Sequence, residues 1–167
     1  MITYIVSSIG FFIALMLQYG IFSRWTLLSG SADIVLLFIV ALCLHSNVKR
    51  LWVQVLIFGA IVGAISAIPF YFIMAFYFAI FLAAQQIRKR IMQTPLLSMY
   101  LLTFIATLAW HALNIAYLFI KRIPFDLSTA LFEIMLPGLL LNILVSIVIH
   151  AIVQEGNRMI TPKGAEV

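Results

Sequence analysis

"LWVQVLIFGAIVGAISAIPFYFIMAFYFAIFLAAQQI", residues 51–87, runs for 37 residues without one charged side chain. As a single helix it would reach about 55 Å at 1.5 Å per residue, well beyond the roughly 30 Å of a bilayer's hydrocarbon. The run therefore has to divide. Ile68-Pro69 is the place, because proline lacks a backbone donor and strains the turn that precedes it. One uncharged run becomes two helices, and that step decides the helix count.

Outward from this stretch, apolar runs bounded by charges predict a first helix from about Tyr4 to Phe22 and a second from about Ala32 to His45. A fifth is expected from about Leu96 to Ile120, after Thr94-Pro95, and a sixth from about Phe132 to Val153. The expected architecture is all-α: a polytopic membrane protein with a six-transmembrane-helix bundle over residues 1–153 and a short cytoplasmic tail over 154–167. The opening Met1-Ile2-Thr3-Tyr4 lacks the basic region of a cleaved signal peptide and no small-residue cleavage site follows, so helix one is expected to stay as an anchor. Helix two is short, about 21 Å for its 14 residues. Either its neighbours shield it or Trp25-Thr26-Leu27-Leu28 dips into the interface; both readings stay open.

Composition agrees with this class. Hydrophobic residues make up 65% of the 167 and charged residues 9%, with mean hydropathy +1.20, which leaves no material for a soluble domain of useful size. The net charge of +5 falls between apolar runs, where it reads as orientation signals and lipid-headgroup contact, not nucleic-acid binding. Counted alternately along six crossings, Lys49, Arg50, Arg88, Lys89, Arg90, Arg158 and Lys163 share one side, against Arg24, Lys121 and Arg122 on the other. The positive-inside rule then makes both termini cytoplasmic. Cys43 is the only cysteine, so neither an internal disulfide nor a cysteine zinc cluster can form.

Polar side chains in hydrocarbon are costly unless they face protein, so their spacing marks inward faces. Asn142, Ser146 and His150 recur every fourth residue in "LPGLLLNILVSIVIHAIV", residues 136–153, and form one stripe. Helix five repeats the device with Thr103, Thr107, His111 and Asn114, and helix one with Gly10, Ala14 and Gln18. In helix three Gly59 and Gly63, extended by Ala67, let another backbone approach closely. Packing and interhelical hydrogen bonding are the ordinary use of such seams, and a ligand or proton path is the sharper one. Asp33 and Glu133 stand where a carboxylate would cap helices two and six.

Catalytic patterns are missing from the sequence: no glycine-rich phosphate loop, no HExxH, no paired carboxylates at helical spacing. No enzyme activity, cofactor or metal site is expected.

Taken together, the six hydrophobic segments, Gln18 late in helix one, "SADIVLLFIVALCL", "GAIVGAIS", "RKR" after helix four and the helix-six stretch resemble the rod shape-determining MreD family. The resemblance spans most of the chain. It implies a non-catalytic inner-membrane scaffold of the bacterial elongation machinery for peptidoglycan, with a fold similar to energy-coupling-factor transporter binding subunits. Its implied partners are the bitopic MreC, the actin-like MreB, and RodA with its penicillin-binding transpeptidase. A second reading is a transporter subunit binding a small vitamin-like molecule, with Trp110, His111, Asn114 and Asn142 lining the pocket.

Overall fold

The structure, a computed structural model, describes residues 2–22, 24, 26–45, 51–90 and 95–160. Helix α1, Ile2–Leu17, continues as a π-helical turn, Gln18–Phe22. Two short antiparallel strands follow, β1 at Thr26–Leu27 and β2 at Gly30–Ser31. Then come α2, Ile34–His45, α3, Leu51–Ile65, α4, Phe70–Arg90, and α5, Pro95–Ile120. The last segment starts as α6, Leu127–Thr129, passes through a π-helical stretch, Ala130–Met135, and ends as α7, Leu136–Ile160. Among the described residues four segments are long and apolar enough to cross a membrane: Thr3–Phe22, Phe70–Arg88, Pro95–Ile120 and Leu127–Met159. The chain is thus a mostly helical membrane protein, with α2 and α3 as shorter apolar helices.

Helix α2 is the centre. Val35, Leu36, Leu37, Ile39, Val40, Ala41 and Cys43 are all buried, and α1, α4, α5 and α7 pack around it. A helix apolar on every side suits either a protein core or lipid, and here protein surrounds it. Shielding therefore explains its shortness, and Thr26–Leu27 belongs to the hairpin beside it; Trp25 lies outside the described residues.

The long uncharged run divides at Pro69 as the sequence predicts, α3 ending at Ile65 and α4 starting at Phe70. The two helices fold back on each other along the glycines. A Cβ on Gly63 would lie 2.5 Å from Phe70 Cα, and one on Gly59 3.0 Å from Met74 Cα. The glycine seam thus meets α4 of the same chain. Ala67 is not part of it: α3 has already ended, Ala67 is exposed, and its carbonyl accepts a hydrogen bond from the Tyr117 hydroxyl at 3.3 Å. The turn that proline enforces takes Ala67 off the helical register.

Two boundaries of the last segment differ from expectation. It starts before Phe132, and the capping carboxylate is Asp126, which accepts from the backbone N–H groups of Ser128 and Thr129. Bonds from Thr129 above all, and from Ser128, hold the Asp126 carboxyl down at about 2. Glu133 lies inside the π-helical stretch with its side chain exposed, so it caps nothing. Its backbone carbonyl matters instead. Pro137, four residues on, has no N–H to give it, and the Ser29 N–H of the hairpin takes that place at 3.0 Å. At the far end α7 runs past Val153 to Ile160, so the expected start of a tail at Gln154 falls within a helix; residues 161–167 are outside the described set.

Candidate functional site

The site is built around the N-terminal end of α2, which would otherwise bury unpaired backbone donors. Three side chains from three places satisfy them. Gln18 Oε1, carried on the π-helical turn after α1, accepts from Ile34 N–H at 2.6 Å. Asn142 Oδ1, from α7, accepts from Asp33 N–H at 2.7 Å. Asp33 Oδ1 accepts from Leu36 N–H at 2.9 Å, so this carboxylate caps α2.

Asn142 is the hub. Its Nδ2 donates to Thr107 Oγ1 on α5 at 3.0 Å, and the residue is 2% exposed. One amide thereby ties α7 to α2 and α5 together. The hairpin fits tightly against the same place: a Cβ on Gly30 would lie 2.5 Å from the Gly138 backbone nitrogen. Glycine is required there because no side chain can enter between the hairpin and α7.

Beside this hub lies a cavity of about 550 Å³. Gln18, Asp33, Trp110, His111, Asn114 and Asn142 all contribute to its wall, with Tyr19 and Tyr77 adding aromatic surface and Ser29, Ser31 and Ser66 adding hydroxyls. Its size falls in the range of small-molecule sites, in which a few placed polar groups fix orientation within an apolar wall. Asn114 Nδ2 donates to the Trp110 carbonyl of its own helix at 2.7 Å.

The remaining seam residues are placed away from the cavity. Ser146 and His150 are buried on the Asn142 stripe of α7. Ser146 donates to the Ile143 carbonyl at 2.7 Å, and the His150 ring meets His45 edge to face with centroids 4.6 Å apart. Gly59 and Gly63 belong to the α3–α4 contact. Among the described residues no group of three or more His, Cys, Asp or Glu side chains could hold a metal ion.

Sequence reasoning missed Gln54, which donates to the Tyr4 carbonyl at 3.0 Å and to Ser8 Oγ at 3.1 Å, tying α3 to α1. The signal was present: an amide inside the apolar stretch of α3 obeys the same rule that singled out Asn142. It also missed Tyr77, which carries no polar neighbour in sequence to distinguish it from other aromatic residues of α4. No protein-family model, no curated protein and no solved structure matches this chain.

Proposed function

We propose that the chain is a non-catalytic membrane scaffold of the MreD type, serving the bacterial machinery that elongates the peptidoglycan wall. In this reading it crosses the inner membrane six times with both termini in the cytoplasm, and it grips the membrane helix of a bitopic, MreC-like protein. MreB and RodA with its transpeptidase would be further partners, as the resemblance implies. The observation that carries the reading is an outward groove of about 620 Å³ between α5 and the π-helical stretch. Leu108, Ala112, Ile115 and Ala116 line it on one side and Leu131 and Met135 on the other. Ala112 and Ala116 are exposed and one turn apart, which allows a second helix backbone to come close.

The test is copurification of the bitopic partner with wild type and with Ala116→Leu. Loss of partner recovery at unchanged protein yield is expected; unchanged recovery would overturn the docking face. A reporter fused after Val167 should be active only in the cytoplasm.

The cavity favours a second reading, a subunit that binds a small molecule. Trp110, His111, Asn114 and Asn142 all line it, although two helices supply them. Protein purified in mild detergent and extracted with organic solvent should release one small molecule per chain if this reading holds. An empty extract would overturn it.

A further inference from the structure

We infer that the cavity beside α2 takes a small organic cation, an ammonium on an aromatic or otherwise flat body; this rests on the small-molecule reading of the cavity. A helix N-terminus ordinarily favours anions, because its free N–H groups and dipole point at them. Here those donors are already spent. Asp33 N–H is held by Asn142, Ile34 N–H by Gln18 and Leu36 N–H by Asp33 itself. An anionic ligand would find its usual partners occupied by the protein's own side chains.

What the wall leaves available suits the opposite charge. Among the described residues Asp33 is the only formally charged side chain in the lining, with no Lys or Arg. Asn114 Nδ2 gives one of its two hydrogens to the Trp110 carbonyl, and its carbonyl oxygen adds an acceptor to the lining. Tyr19, Tyr77 and Trp110 are aromatic residues of the same lining. A carboxylate together with aromatic rings is the arrangement that attracts an ammonium, through charge pairing and through the negative faces of the rings.

The full chain in neutral detergent is tested by equilibrium dialysis against three probes that share one phenol ring: tyramine, tyrosol and para-hydroxyphenylacetate. They carry a positive, a neutral and a negative group at the same position. Tyramine is expected to bind about tenfold or more tightly than tyrosol, and the carboxylate weakest. Asp33→Asn keeps an N-cap acceptor and removes the charge, so the gap between tyramine and tyrosol should close. If that variant does not fold, Trp110→Leu supplies the second arm and should weaken tyramine several-fold more than tyrosol. Equal binding of tyramine and tyrosol, or a gap that persists in Asp33→Asn, would overturn the cation assignment while leaving a small-molecule site in place. No binding of any probe would overturn both.

Discussion

Two joints of this bundle are made of opposite materials. Between α3 and α4 the joint is steric: Gly59 and Gly63 let the backbone of α4 come so close that no side chain fits between. Between α2, α5 and α7 the joint is polar: Asn142 joins Asp33 N–H to Thr107 Oγ1, with Gln18 adding α1. The steric joint should fail when volume is added, and the polar joint when a donor or acceptor is removed. Substitutions can separate the two.

The largest effect is expected at the steric joint. Gly63→Leu places atoms where Phe70 Cα and Cβ already lie, 2.5 and 2.6 Å from the first added carbon. Overpacking of this kind typically costs about 1–3 kcal/mol and more when backbone must move. Thermal melting in detergent should place this variant below all others here, with Gly63→Ala below Gly59→Ala because the latter's nearest contact is 3.0 Å. Wild-type melting of both alanine variants would break the steric half of the comparison.

Next comes the polar joint. Asn142→Leu conserves bulk but leaves Asp33 N–H without its acceptor, a loss of about 1–2 kcal/mol for a buried unpaired donor. An unchanged or raised melting point would show that Asn142 does not anchor α7. Thr107→Val removes only the hydroxyl and should cost about 0.6 kcal/mol, the usual size of an interhelical bond in a membrane. Because the two residues share one bond, the double variant should lose less than the sum of the singles.

The smallest effect is at Asp126, which belongs to neither joint. Hydrogen bonds from Thr129 and Ser128 hold its carboxyl at about 2, below the ordinary 3.8. The group binds its proton less readily when folded, so its contribution is complete above the unfolded value and is lost as pH falls from about 3.8 toward about 2. Melting temperature followed against pH should show a slight acid decline in wild type. That component should be absent in Asp126→Asn, which cannot titrate; the same decline in both would place its cause elsewhere.

The sequence was informative wherever a property depends on a single segment. Membrane class, the break at Pro69 and the inward direction of Asn142 all follow from hydropathy, proline geometry and helical spacing, which act over a few turns. That adjacent helices in the chain usually pack side by side made Thr107, His111 and Asn114 of helix five the candidate partners for Asn142, and the structure selects Thr107. The same local rules misplaced the cap at Glu133: its position relative to Phe132 looked like a first turn, while the helix had already started at Asp126 and Leu127.

What only the tertiary structure decided are the pairings between distant segments. Asn142 accepts from a backbone N–H 109 residues away, Ser29 reaches the carbonyl that Pro137 leaves unpaired, and four polar or aromatic residues of α5 and α7 line one cavity with Gln18 and Asp33. Each depends on how far helices slide and rotate against one another, and a shift of one residue turns a helix by about 100°. A one-dimensional pattern specifies which face looks inward. The partner on the other side is set by the close packing of all the helices at once.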